Sequence, residues 1–349
     1  MICKDYFRLL AAVALIMSEP AASLAADPDP LFADDSVLDV RLAAPFKQLM
    51  QERSDVDELA GTFTLAGGED GPLEFDVAVR TRGNFRRQRS NCRFAPLRIN
   101  FKKSQLQGTL LAGQDKLKLV THCNRGSNSD QQTVLREYLA YKILNVLTDF
   151  SYRVRLLRMT FVSADDDNEE TIGYAFFIEN DDRLAKRVGL QQQKVSEVEL
   201  ATLQPDYTNL TSVYQYLIGN LDFSPIKGPD GEDCCHNHAV FSDAQGTFWS
   251  IPYDFDMSGL VDAEYNAPNV RLGQKHLRQR IYRGRCSNND KLPASLQLFH
   301  DRRAAIESVL ASQPELDKGT RRSLESYVKS FYREIDGEQA VSELSKACL

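Results

Sequence analysis

The chain has 349 residues, 42% of them hydrophobic, enough to fill the core of one large domain or of two lobes. Its 49 acidic residues outnumber 42 basic ones, and the formal net charge of -7 argues against general nucleic-acid binding. After the N-terminus no stretch is long and apolar enough for a membrane-spanning helix, so the composition is that of a globular protein.

The first residues read as an export signal. Lys4 and Arg8 precede an apolar run over 9–17, and Ser23, Leu24 and Ala25 offer small residues for cleavage. The reading gives a signal peptide over 1–25, a mature start near Ala26, a periplasmic or secreted protein, and no membrane insertion once the signal is removed. No cysteine immediately follows the cleavage site, which argues against a lipid anchor there. A polar, acidic leader runs through Asp35, and 37–50 reads as a short amphipathic element.

Strands are expected at 61–66 and 75–82 around the turn Gly67-Gly68-Glu69-Asp70-Gly71, and at 96–101 and 116–120, as an antiparallel region. Six arginines crowd between 80 and 93: Arg80, Arg82, Arg86, Arg87, Arg89 and Arg93, interrupted by Gly83-Asn84. They form either a solvated hairpin or a phosphate-binding surface. From Ser129 the period turns helical, with an apolar stripe from Val134 to Leu147 behind a cap at Ser129 or Asp130. Strands at 156–162 and 172–178 flank an acidic hairpin tip at 165–170.

A buried helix over 206–221 delivers Asn220 and Asp222. A hairpin of strands 239–241 and 247–251 follows, with Asn237 at its entrance and Asp254 at its exit. Amphipathic helices are expected at 294–311 and 320–335. The layout predicts an α+β, two-lobed fold resembling atypical protein kinases: an antiparallel β-rich N-terminal lobe over 26–180 with one long helix, and a mainly helical C-terminal lobe over 181–349.

Removal of the signal removes Cys3 and leaves six cysteines: Cys92, Cys123, Cys234, Cys235, Cys286 and Cys348. Export favours disulfides. Cys92 and Cys123 flank neighbouring strands, whereas Cys234 and Cys235 are expected to tether their loop to Cys286 and Cys348. A zinc site of Cys234, Cys235, His236 and His238 has the right atoms without the usual spacing.

The chemistry concentrates where Trp249-Ser250-Ile251-Pro252-Tyr253 ends in Asp254-Phe255-Asp256. Carboxylates at the end of a half-buried strand need a cation, an arginine or hydrogen-bond donors to offset desolvation. Two Asp and an Asn supply hard oxygen ligands suited to Mg²⁺ or Mn²⁺, which also bind phosphate oxygens. Asp222, Asn237 and Asp254 follow the order of the catalytic Asp, metal-binding Asn and metal-binding Asp of phosphotransferases. The motifs His-Arg-Asp, Asp-Phe-Gly and Gly-x-Gly-x-x-Gly are absent.

From about residue 75 to 258 the chain resembles the CotH family of atypical kinase-like proteins, in the form of an exported, Gram-negative-type member. The resemblance rests on Arg82-Gly83-Asn84, 96–101 (PLRINF), 135–141 (LREYLAY), 172–179 (IGYAFFIE), 216–222 (YLIGNLD), His236-Asn237 and 251–256 (IPYDFD). It implies Asp222 as the catalytic acid and Asn237 and Asp254 as metal ligands, with Asp256 either assisting or capping the next turn. Arg98, Lys116 and Lys118 are candidates for nucleotide phosphates, and Glu179 either matches an acidic, cofactor-binding residue at the lobe connection or is a structural hinge. ATP as donor and a protein Ser/Thr as acceptor are what the resemblance implies. An insertion over 225–235 and Leu221 in place of an aromatic depart from the pattern. Two other classes fit the same residues: a metal-dependent phosphoester hydrolase, and an exported disulfide-stabilised binding or structural protein without turnover.

Overall fold

Alternation of apolar and polar residues builds the first half of the molecule. The computed structural model describes residues 29–67, 71–124, 127–229 and 231–349; the expected signal, the mature start near Ala26 and residues 68–70 of the first turn lie outside them. Strands β1 (Leu38–Ala44), β2 (Leu59–Leu65), β3 (Leu73–Thr81), β4 (Leu97–Phe101), β5 (Lys116–Val120), β6 (Val154–Ser163) and β7 (Glu169–Ile178) close into a barrel ordered β1-β2-β3-β4-β5-β7-β6. Neighbours pair antiparallel except β1 and β6, which run parallel from Leu38 opposite Leu157 to Ala44 opposite Ser163.

This closed, mixed barrel overturns the expected two-lobed kinase-like fold with an antiparallel N-terminal lobe. The reason lies in the segment 37–50. Val40, Leu42 and Ala44 turn inward and Asp39 and Arg41 outward, a period of two, and only after Pro45 does helix α1 (Phe46–Glu52) begin. The parallel pairing of β1 with β6 then leaves the sheet no free edge.

Leu42, Phe63, Val79, Ile99, Leu117, Met159 and Phe177 fill the barrel. Outside it lie α2 (Asn128–Leu147), α3 (Asp181–Val188), α4 (Pro205–Ile218), α5 (Leu292–Ala311), α6 (Lys318–Ile335) and α7 (Ala340–Lys346). A small sheet of β8 (Gln191–Gln192), β9 (His238–Ser242) and β10 (Phe248–Pro252) has the order β10-β9-β8. Val154, Leu156, Phe176 and Ile178, on the outer faces of β6 and β7, join the core formed by α2, α4, α5 and α6. Both faces of these two strands are therefore covered, which is why they read as nearly continuous apolar runs. Helix α2 lies between barrel and helices, and Ser127 rather than Ser129 or Asp130 caps it, its Oγ accepting from the Asp130 N–H at 3.3 Å.

Cys92 bonds Cys123 and Cys286 bonds Cys348, while Cys234 and Cys235 bond each other. The expected tether from the 234–235 loop to Cys286 and Cys348 does not form. The chain end explains this: Cys286 N–H donates to Leu349 O at 3.1 Å and Leu349 N–H to Gly284 O at 2.8 Å, which seats Cys348 against Cys286.

Candidate functional site

Helix α4 stops at Gly219, whose φ of 64° is left-handed. Tyr327 fills the space a Cβ would need there, so only glycine fits. The turn that follows is pinned when Asn220 Oδ1 accepts from the Asp222 N–H at 3.0 Å. Arg283 fixes the same turn from the other side, donating to Leu221 O at 2.9 Å and Phe223 O at 3.0 Å.

The hairpin β9–β10 brings its two ends to that turn. Tyr253 N–H donates to Asn237 O at 2.9 Å, and both Asn237 (φ 53°) and Asp254 (φ 61°) are left-handed. Two non-glycine residues strained side by side mark a site that the surrounding structure holds in place. Asn237 Nδ2 donates to Asp222 O at 2.7 Å and to Asp222 Oδ2 at 3.0 Å, which leaves the Asn237 amide oxygen for another ligand. His236 Nε2 lies 2.7 Å from Asp222 Oδ1, and that hydrogen bond raises the His236 pKa against its partial burial. The carboxylate of Asp254 has neither a hydrogen-bond donor nor an ion-pair partner among the described residues; only its N–H is engaged, donating to Tyr141 Oη at 2.8 Å.

Behind this opening lies an acidic cluster that the sequence reading did not assemble. Glu137, one turn before Tyr141 on α2, is 2% exposed. Burial, then the charges of Asp256 and Asp254, raise its carboxyl well above the ordinary range, while Arg86 and Arg82 oppose them. Asp256, 6% exposed, is pushed up to about 7 by burial and by Asp254. It accepts from Tyr265 Oη at 3.0 Å, while in the following turn it is Ser258 Oγ that accepts from a backbone N–H, that of Val261 at 3.3 Å. Buried Arg86 stands 4.0 Å from Glu137 and donates to Thr121 O.

On the barrel side, strand register lines up cations. Arg80 lies opposite Arg98, and Arg98 opposite Lys118, across β3, β4 and β5. Like charges directly opposed destabilise a sheet, and among the described residues only the outer two have carboxylate partners: Glu58 at 3.7 Å from Arg80 and Asp181 at 3.3 Å from Lys118. The Nε of Arg98 is buried without a hydrogen-bond partner among the described residues. Burial, then the repulsion of Arg80 and Arg82, lowers its pKa; burial likewise lowers that of Lys118, with Asp181 opposing. Lys118 Nζ sits 5.1 Å from the ring centroid of Tyr253, the residue before Asp254, so the basic row ends at the acidic cluster.

Lys116 is exposed on the same strand beside Asn100, beyond the row. Glu179 is placed elsewhere: both its oxygens are taken by Arg187 at 2.9 and 2.8 Å and by the Arg153 N–H at 3.1 Å, which ties β7 to α3. The zinc reading fails, because Cys234 and Cys235 are joined and His238 is buried against Ser250 O and Oγ at 3.1 Å. Burial lowers His238 to about 3. The unfolded chain takes up its proton near pH 6.5 and the folded one does not, so stability present above pH 6.5 is lost as pH falls toward 3, by roughly 2 kcal/mol at pH 5. Urea unfolding at pH 7.5 and 5 is expected to show this loss in the native protein and a smaller one in His238→Gln; equal losses would exclude His238 as the source.

The chain matches no known protein family, and no curated protein matches it.

Proposed function

We propose that the protein is a divalent-cation-dependent phosphotransferase, moving a phosphoryl group from a nucleotide such as ATP to a Ser or Thr hydroxyl of a protein acceptor. One observation carries the reading: the buried acids Glu137 and Asp256 and the unpaired Asp254 meet, at Tyr253 and Lys118, a row of cations that lacks enough carboxylates. A polyphosphate carrying a metal ion complements both halves. The order of motifs that resembles the CotH family supports the same chemistry, independently of the two-lobed fold, which does not form.

Asn237, through its free amide oxygen, and Asp254 would hold Mg²⁺ or Mn²⁺, with Asp256 beside them. No group of three His, Cys, Asp or Glu side chains that could hold a metal ion lies among the described residues, so the Asn237 amide, phosphate oxygens and water would have to supply the rest of the shell, as is usual for Mg²⁺. The donor set fits, because burial and then the charge of Asp254 raise the carboxyls of Glu137 and Asp256, a concentration of negative charge that a cation would offset. When bound, such a cation would supply Lewis-acid polarisation of the transferred phosphoryl group. As the acceptor oxygen bonds to phosphorus and the bond to the leaving diphosphate breaks, the acceptor proton passes to Asp222, which Asn237 and His236 hold in position. Arg82, Arg98 and Lys118 balance phosphate charge.

Melting the protein with ATP, with Mg²⁺ and with both, and then following phosphate onto a protein acceptor, tests the reading; no shift with Mg²⁺ and ATP together would instead favour a binding protein without turnover. The exposure of the Asp222 and His236 side chains, 41% and 35%, gives water access, so phosphoester hydrolysis is the second reading, and phosphate release without acceptor would select it. Arg98→Ala is expected to raise KM for the nucleotide roughly 10- to 100-fold with little change in kcat, the loss of a charge-assisted contact. Lys116→Ala should change neither. An unaltered KM in Arg98→Ala would remove Arg98 from the phosphate site.

A further inference from the structure

The arginine block divides. Arg80, Arg82 and Arg86 face the site described above, whereas Arg89 and Arg93 edge a second cavity of about 450 Å³ at α1. Its floor is apolar: Phe46 and Phe94 are buried with ring centroids 5.6 Å apart, and half-buried Met50 lies beside them. Its rim is cationic. Lys47, Arg53, Arg89 and Arg93 face a single carboxylate, Asp166, which Lys47 already engages at 3.2 Å.

None of the three arginines forms an ion pair with a described residue. Arg53 donates to Met50 O at 3.1 Å, Arg87 O at 2.7 Å, Cys92 O at 3.0 Å and Arg93 O at 2.7 Å; Arg89 reaches Met50 O and Gln51 O. These bonds satisfy the Met50 and Gln51 carbonyls at the end of α1 and the Arg87, Cys92 and Arg93 carbonyls of the loop between β3 and β4, and so account for part of the charge. They leave exposed Arg93, whose guanidinium bonds no described residue, and the open apolar floor unexplained. Such a concentration of cations on a chain of net charge -7 calls for an anion.

We propose that this cavity binds a small free anionic amphiphile, a single acyl chain or aromatic body ending in a carboxylate, with its apolar part on Phe46, Met50 and Phe94 and its head between Arg89 and Arg93. The volume falls within the range of roughly 300–1,000 Å³ usual for small-molecule pockets. Its wall is fixed beforehand, since Cys92–Cys123 pins the loop and Arg53 clamps its carbonyls, so binding orders little that is loose. The cavity shares no residue with Asp222, Asn237 or Asp254.

Calorimetric titration of the full chain with decanoate, decanol and decyltrimethylammonium tests the proposal. Decanoate is expected to bind saturably, one per chain, with decanol roughly tenfold or more weaker and the cation silent. The double variant Arg89→Glu with Arg93→Glu should lose roughly tenfold or more in decanoate affinity, with a lower melting temperature from the lost Arg89 bonds to Met50 O and Gln51 O, while Asp254→Asn binds decanoate as the native protein does. Should the double variant fail to fold, Arg93→Glu alone replaces it, because that side chain holds nothing in place. Native decanoate affinity in the charge-reversed variant, equal binding of decanol, or no saturable decanoate binding in the native protein overturns the proposal.

Discussion

Asp254→Asn is expected to abolish cation-dependent nucleotide binding and to lower phosphoryl transfer roughly a thousandfold or more, the scale of losing a metal ligand. Asparagine suits the test better than alanine, because Asp254 sits at φ 61°, a conformation asparagine tolerates and other side chains resist. Charge is therefore removed without disturbing the backbone. The variant carries a second signature. Asp254 raises the pKa of both Glu137 and Asp256, so its neutralisation should leave the metal-free protein as stable as before or more so, the usual trade between a strained site and stability. Asp222→Asn is expected to behave oppositely, keeping the nucleotide-dependent rise in melting temperature and losing turnover, since in the proposed mechanism Asp222 takes the acceptor's proton. Thermal shifts with and without Mg²⁺ and ATP, beside single-turnover phosphate transfer, separate the two. Equal nucleotide stabilisation in the native protein and Asp254→Asn would remove Asp254 from the metal site.

Elements with a clean period were legible in the chain. Strands β2 to β7, the β9–β10 hairpin and helices α2, α4, α5 and α6 lie within a few residues of where alternation and the helical stripe put them. The fold was not, and β1 shows why. Its alternation is only seven residues long and runs into α1 across Pro45, so the two merged into one amphipathic reading; yet its parallel pairing with β6, more than a hundred residues away, turns an open sheet into a barrel. Local pattern carries no register. The candidate site divides in the same way. Asp222, Asn237 and Asp254 end short segments whose apolar runs point to them, and the structure brings the three to one turn. Glu137, Arg86, Tyr141 and Tyr265 come from distant elements, and nothing near them in sequence ties them to Asp254. One signal was available: Glu137 falls inside the apolar stripe of α2 beside Val134 and Tyr138, and an acid on a buried face requires a partner. At Glu179 the structure shows a tie between β7 and α3, the structural alternative, and the partner that makes it was not legible. Its partner Arg187 is eight residues on, in a helix too short for its period to register.

Reduction of the disulfides is expected to lower the melting temperature by roughly 10 °C or more. Cys92–Cys123 closes a separation of 31 residues and Cys286–Cys348 one of 62, and on the chain-entropy account each stabilises by about 4 kcal/mol. At roughly 2 °C per kcal/mol for a chain of this size, the two together set the scale. Cys234–Cys235 joins neighbours, restrains almost no loop, and should contribute little. Paired serine variants separate the terms. Cys286→Ser with Cys348→Ser frees the chain end that hydrogen-bonds Gly284 and should act on stability alone. Cys92→Ser with Cys123→Ser should also weaken nucleotide binding, because the loop it frees carries Arg82 and Arg86 to the acidic cluster. Melting with and without a phosphine reductant, together with mass spectrometry of the linked peptides, decides the matter. A peptide joining Cys234 or Cys235 to Cys286 or Cys348 would restore the tethered site loop, and an unchanged melting temperature on reduction would mean that the barrel and helical cores hold these segments without help.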